Sequence, residues 1–334
     1  MTHTPLTRRP ASASRAPAPD FIIGGAPKCG TTSLHFILDQ HPEIALPQDE
    51  VNFFDADDPL NWPDFFRVEG GQLHWLDTAT DDGARAEWYR GLYAKLGNHK
   101  LLGEDSTQYL FSPIAPRRVK ARLPDAKVIF MLRDPVRRAY SQYWHEMKMM
   151  RATCSFENAL TAMPQIVAQS TYAPHLRTWF DVLGSDKVLV ILMEDFQKDI
   201  QANMDRIADF IGIERFDVSD YDLWFNRSYY PVWPRGQMLM NHVGKRVARL
   251  RYRTHMKTDW TRRDDINNKI YQKWFHKVNP ILFRAEKAPP MKPETESYLA
   301  AHLSERNEGL DTLLDMNLRK VWKSWQPMDR GQAA

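Results

Sequence analysis

The stretch Phe21–Ser33, FIIGGAPKCGTTS, limits what this chain can fold into more than any other. A short apolar run feeds a loop carrying Gly25 and Gly30, and Thr31, Thr32 and Ser33 then open what reads as a helix. Strand, glycine-bearing loop and helix N-terminus in that order make an anion cradle. Loop N–H groups turn inward and the helix dipole favours negative charge. The plain alternative is a glycine turn between two core elements. The ordered succession of elements favours the cradle.

The cradle departs from the nucleotide-hydrolase loop, G-x-x-x-x-G-K-[ST]. Gly25 and Gly30 have the right separation and Thr32 stands at the hydroxyl position, but Thr31 occupies the lysine position. The lysine of this loop, Lys28, lies inside it, where it leans over the distal group of an anion. The usual arrangement for clasping β- and γ-phosphates with magnesium is missing. A second segment, KVIFMLRDPVRRAYSQYW, completes the site. Lys127–Leu132 is a β-rich apolar run that ends at Arg133. Asp134 followed by Pro135 is a capping carboxylate with proline at the first helical position. Val136, Tyr140, Tyr143, Trp144 and Met147 then keep helical spacing. Arg133 therefore leaves the C-terminal end of a strand, where open α/β sheets bind ligands. Ser141, about two turns into the helix, can share an anion with it.

Together these segments resemble the two nucleotide-binding motifs of sulfotransferases that use 3′-phosphoadenosine 5′-phosphosulfate, above all the heparan-sulfate type and its soluble bacterial cousins. The resemblance runs from about Asp20 to Trp325 and implies a P-loop-like, three-layer α/β/α fold with a central parallel sheet. It implies that residues Lys28, Cys29, Gly30, Thr31, Thr32 and Ser33 hold the 5′-phosphosulfate, with Lys28 at the sulfate-bearing end. Arg133 and Ser141 would hold the 3′-phosphate. The run HPEIALPQDEVNFFD resembles the family's H-P…E-x-x-F-F-D segment and makes Glu50 the general base. Read without the resemblance, Glu50 beside Asp49 is equally a solvated loop acid. His41 precedes a proline and His35 lies on the first helix, so neither competes as the base. Gln48–Asp55 and Glu104–Gln108 are expected to line the acceptor pocket, with Asn52, Asp55, Asp105, Ser106 and Thr107 as candidate contacts. Tyr172 and His175 are weaker candidates, and core packing suits the tyrosine better. Arg235, beside Gly236, is the candidate in a segment that closes over the nucleotide. Asn307–Leu314 resembles the family's closing N-x-x-L-x-x-L-L helix.

Three departures matter. Asn52 stands where heparan-type relatives often carry histidine, and Cys29 and Thr31 flank the loop glycine where they often have two glycines and a threonine. Asp105 replaces a lysine that touches acceptor sugars, so a sulfated-glycan acceptor does not follow from the resemblance.

The rest of the chain suits an enzyme. Its 334 residues, 43% of them hydrophobic, can build a sizeable core. Helices are expected over 32–40, 113–122, 172–183 and 200–211, and strands over 100–103 and 188–193. Strands alternating with helices point to a parallel sheet covered on both faces. A net charge of +3 brings no global pull on nucleic acid. Cys29 and Cys154 cannot build a disulfide framework, which suits a reducing, cytoplasmic setting. No metal-ligand spacing appears, so no metal is expected. No apolar run approaches the ~20 residues of a membrane span.

The expected organisation is a disordered tail over 1–19, one sulfotransferase domain over 20–325 and a C-terminal tail over 326–334. The N-terminal tail, rich in Pro, Ala and Ser, also resembles a transit peptide. Within 241–290, thirteen Lys or Arg face four acids, giving a basic helical lid or insert over about 237–290. Met240, Val243, Val247 and Leu250 space as one face of a helix there. Such a helix could meet a membrane surface or an anionic acceptor, or be a solvated face of a lid or dimer element. The acceptor is left open among small molecules, lipids and glycans, and the oligomeric state is unassigned. Two other classes stay in view: a P-loop kinase or nucleotide hydrolase, and a non-catalytic nucleotide-binding protein.

Overall fold

The computed structural model describes residues 17–63, 66–75, 83–97, 99–221, 229–255 and 266–326. Residues 1–16 of the expected tail, 226–228 of the linker, 256–265 of the basic insert and 327–334 lie outside them. Five parallel strands form the central sheet: β1 (Phe21–Gly25), β2 (Ile44–Ala45), β3 (Leu101–Asp105), β4 (Lys127–Leu132) and β5 (Val188–Leu192). Their order is β2-β3-β1-β4-β5. The strands read as near-continuous apolar runs because both faces are covered, and Ile22, Ile23 and Val128 through Leu132 are wholly buried.

Strand order decides where the site falls. β1 is central, and the chain leaves it towards β2 on one side, whereas β3 crosses to β4 on the other. A crevice at the C-terminal ends of such strands is where doubly wound sheets bind ligands. Ile23 pairs in register with Asp105, and Gly25 with Phe130. The loop after β1 is thus flanked by Asp105–Thr107 on one side and by Arg133 on the other.

Helix α1 (Thr31–Asp39) buries Leu34, Ile37 and Leu38 against the sheet. Helix α2 (Ala84–Ala94), which the sequence reading did not anticipate, brings Tyr89 and Tyr93 under the sheet's edge. Helices α3 (Ala115–Arg122), α4 (Pro135–Lys148), α5 (Ala173–Leu183) and α6 (Ile200–Ile211) match the expected segments to within two residues at either end. Asp134 caps α4 as its sequence suggests, accepting from Val136 N (3.0 Å) and Arg137 N (3.2 Å). β3 runs two residues past its expected end, which carries Glu104 and Asp105 onto the strand tip.

Near the C-terminus one feature differs from expectation and a second goes beyond it. The helix expected over 307–314 begins only at Leu310. Buried Asn307 instead caps α5, accepting from Tyr172 N (2.5 Å) and Ala173 N (3.1 Å) and donating to Ser170 O (2.9 Å). The second feature is the basic helix α7 (Pro234–His255), whose apolar face the sequence left open between a surface contact and a solvated face. Val243 is 52% exposed, while Gln237 and Asn241 are wholly buried. Alongside Met238 and Val247 the packing face includes polar side chains, because it meets carbonyls at and just beyond the end of α4. Asn241 Nδ2 donates to Met147 O (2.9 Å) and Ala152 O (2.7 Å), and Gln237 Nε2 donates to Asn241 Oδ1 and Asn279 Oδ1 (2.8 Å each). Helix α8 (Pro293–Arg306) packs Leu299 and Leu303 with Val136 and Tyr143 of α4 in a second apolar cluster. Among the described residues no helix is long and apolar enough to cross a membrane.

Candidate active site

The cradle is built by residues that only this backbone path permits. Gly25 has φ +139, and a Cβ there would lie 2.5 Å from the Thr107 carbonyl oxygen. Gly30 caps α1 in the left-handed region (φ 91). As first residues of α1, Thr31 and Thr32 have N–H groups without intrahelical acceptors, facing the positive end of the helix dipole. Thr31 and Ser33 are buried and Thr32 is exposed. Lys28 is itself left-handed (φ 72). The loop is held from below by Arg138, whose wholly buried guanidinium donates to Pro27 O (3.2 Å), Ser170 Oγ (3.2 Å) and Gln169 Oε1 (2.9 Å). Arg133 Nη1 reaches Lys28 O at 3.5 Å. The Tyr172 hydroxyl donates to Arg133 O (2.9 Å) and lies 3.8 Å from Cys29 Sγ, tying loop to strand end.

Lys28 Nζ lies 3.4 Å from His145 Nδ1. An ammonium can only donate, so Nδ1 is the accepting nitrogen and the ring proton belongs on Nε2. Burial first, then the Lys28 charge, holds His145 well below the ordinary histidine range and therefore neutral. Lys28 is itself lowered to about 8, by burial first and then by Lys148, Arg138 and Arg133. Among the described residues no carboxylate pairs directly with Lys28 or Arg133; the nearby Glu146, which acts on Lys28, is paired with Arg151. Burial raises Cys29 to about 11 and keeps it a thiol. Ser141 is half-buried on α4 and is not bonded to Arg133. Arg235 is exposed on the first turn of α7 and makes no bond to either.

The acceptor side rests on a buried polar platform. Glu104 accepts from Tyr89 OH (2.6 Å), Tyr93 OH (2.8 Å) and Ser106 Oγ (2.8 Å), and burial raises its pKa. Tyr109 OH accepts from Phe53 N (2.8 Å) and Phe54 N (2.9 Å), and Ser106 Oγ accepts from Asn52 N (2.9 Å). These bonds fix the 50–55 loop above β3. Asn52 is left-handed (φ 48). Asp55 is wholly buried, bonded to Asn61 Nδ2 (3.1 Å), and raised to about 7 by burial. Asp55 and Ser106 thus brace the loop from beneath, whereas Asn52, Asp105 and Thr107 surround Glu50.

Glu50 is open to solvent, yet so much protein surrounds it that its pKa rises to about 7. Desolvation is the main cause and the Asp105 charge the second; the Thr107 hydroxyl (3.0 Å) and the Asn52 amide pull the other way. Asp105 is paired with His35 (3.1 Å), and this raises the histidine. Sequence reasoning missed Arg138, His145 and the His35–Asp105 pair. His35 and Asp105 are 70 residues apart, and Arg138 sits in an RDPVRRAYS run that offers three look-alike arginines. The one local signal was the spacing of Arg138, four residues beyond the capping Asp134.

A family model described as "Sulfotransferase family" matches residues 19–217, which hold every candidate residue except Arg235. The chain is 27% identical over 214 residues to the bifunctional heparan sulfate N-deacetylase/N-sulfotransferase 2 of Bos taurus, covering 59% of this chain and 22% of that protein. It is 27% identical over 216 residues to the heparan sulfate glucosamine 3-O-sulfotransferase 6 of Mus musculus, covering 62% and 56%. The chain thus spans less than two thirds of either relative. A sulfotransferase structure from Alicyclobacillus acidocaldarius aligns with a TM-score of 0.59 at 25% identity, covering 91% of this chain and 98% of that one.

Proposed function

The chain belongs to the sulfotransferase family, and from that premise we propose that it moves a sulfuryl group from 3′-phosphoadenosine 5′-phosphosulfate to a hydroxyl or amine acceptor. One observation carries this reading. Thr107 joins the two halves of the site: its carbonyl closes against Gly25 of the cradle, and its hydroxyl donates to Glu50. A cationic anion cradle and a carboxylate therefore meet at one end of one sheet.

The cradle fits an anionic donor by its unpaired helix-start N–H groups and by Lys28 and Arg133, which no carboxylate pairs directly among the described residues. Residues 28 to 33 would hold the 5′-phosphosulfate, and Arg133 with Ser141 the 3′-phosphate, which ADP and ATP lack. When bound, the donor supplies a sulfuryl group on a phosphate leaving group that needs no proton. The acceptor oxygen replaces that phosphate oxygen at sulfur, and its proton passes to Glu50. A carboxylate with a pKa near 7 is well matched to this task, since an efficient base titrates near the working pH. General-base help of this kind contributes ~10²–10⁴-fold. Lys28 stabilises charge growing on the oxygens around sulfur, and neutral His145 holds its ammonium in place without competing for the anion. Positioning and charge stabilisation dominate here, as they do in phosphoryl transfer.

The test is turnover. The purified chain, given this donor and a panel of hydroxyl and amine acceptors, should release 3′,5′-adenosine bisphosphate together with an equal amount of sulfated product. Donor binding without turnover on any acceptor would favour a non-catalytic nucleotide-binding protein.

A further inference from the structure

The two halves of this cleft carry opposite charge. Lys148, Arg138 and Arg133 act on Lys28, with Glu146 the smallest influence there and of opposite sign, whereas Asp105 and Asp55 act on Glu50. The donor's phosphates answer the first half. The second half has less to answer it. Asp55 has Arg85 as a charged neighbour, but among the described residues neither Glu50 nor Asp105 forms an ion pair with lysine or arginine. The His35 imidazole bonds one oxygen of Asp105, and even when charged it offsets only one of the two carboxylates.

A second observation is independent of charge. Asp105 is 6% exposed and Asn52 is 7% exposed, yet Asp105 Oδ1 and Asn52 Oδ1 have no donor within reach. Both side chains are electrostatic neighbours of Glu50. Buried acceptor atoms without donors are rare in folded proteins, and two flanking the same carboxylate mark a place where donors belong. What this half of the cleft lacks is N–H groups and positive charge.

We propose that the acceptor carries an ammonium group close to its reacting hydroxyl, and that Asp105, with Glu50, selects it by that charge. This rests on the sulfotransferase reading of the site. In the transfer the acceptor O–S bond forms, the S–O bond to phosphate breaks and the hydroxyl proton goes to Glu50. The ammonium keeps its protons and only binds. A carboxylated or sulfated acceptor would meet like charge at the same place.

Matched probes test this on three scaffolds: tyramine, p-cresol and 4-hydroxyphenylacetate; glucosamine, glucose and glucuronate; ethanolamine, propanol and glycolate. Each is offered with 3′-phosphoadenosine 5′-phosphosulfate, and release of the bisphosphate is followed. Within any scaffold that reacts, the ammonium member should lead the carboxylate member by at least about tenfold in kcat/KM. Asp105→Asn should shrink that ratio while leaving the thermal shift caused by 3′,5′-adenosine bisphosphate unchanged. Three results would overturn the proposal: a neutral or anionic member in the lead, an unchanged ratio in Asp105→Asn, or no reaction of any ammonium probe in a protein that binds the bisphosphate. The wild-type ranking decides alone if the variant does not fold. A protein that fails to bind the bisphosphate at all would instead contradict the sulfotransferase reading itself.

Discussion

The donor and acceptor halves of the cleft are built by different means. The donor half uses backbone: a strand end, a loop with two left-handed residues and the first turns of α1 and α4, braced from within by Arg138 and Tyr172. The acceptor half uses side chains, stacking Glu104, Tyr89, Tyr93, Tyr109 and Ser106 beneath a loop that has no regular structure of its own. A backbone cradle is fixed by the sheet and changes little with sequence. A loop held by side chains can change its specificity through one substitution, and the proposal above places that role on Asp105 at the tip of β3.

The largest effect should fall on the acceptor half. Glu50→Gln should lower kcat by ~10²–10⁴-fold and leave bisphosphate affinity intact. In the wild type, kcat/KM should rise with pH through about 7 as Glu50 ionises and fall above about 8 as Lys28 loses its proton. The variant should lose the rising limb alone. Full turnover in Glu50→Gln would end the assignment of the base.

On the donor side, Lys28→Ala should reduce kcat by ~10²–10³-fold while bisphosphate affinity changes far less, because Lys28 serves the charge formed in the reaction. Arg133→Ala should do the reverse, weakening 3′,5′-adenosine bisphosphate by about 10–100-fold, as the loss of a hydrogen bond to a charged group does. Its affinity for ADP should stay nearly constant. Equal losses for both nucleotides would place Arg133 away from the 3′-phosphate.

How much of this was legible in the sequence follows the same division. Lys28, Gly30 and Arg133 could be found because a phosphate cradle needs fixed residue types at fixed local spacing, and the strands and helices around them are strongly periodic. The acceptor platform could not, because Tyr89, Glu104 and Tyr109 meet only through the fold, and tyrosines and a glutamate in sequence look like ordinary core and surface. The basic helix was half legible for a related reason. Its apolar spacing at Met240 and Val243 is real, but what is buried there is set by the Met147 and Ala152 carbonyls that Asn241 satisfies, with Gln237 bonded to Asn241 in turn.

Two smaller effects concern stability. Tyr109→Phe should leave the buried Phe53 and Phe54 N–H groups without their acceptor and cost at least about 1–3 kcal/mol in denaturant unfolding. Glu50→Gln should act in the opposite direction. The folded-state pKa of Glu50 is raised, so the fold binds more protons than the unfolded chain and loses stability as pH climbs from the ordinary carboxylate range to about 7. The variant should therefore be more stable than the wild type at pH 8 and show little advantage at pH 4.

The decisive measurement is thermal unfolding with 3′,5′-adenosine bisphosphate, with ADP and with ATP plus magnesium, on the wild type and on Arg133→Ala. At 100 times its dissociation constant a ligand adds ~2.7 kcal/mol, about 4 °C for a chain of this size. A shift with the bisphosphate that ADP does not match and that Arg133→Ala cuts to about half or less is the predicted result. A shift with ATP and magnesium instead would make the loop a kinase-type cradle and contradict the account.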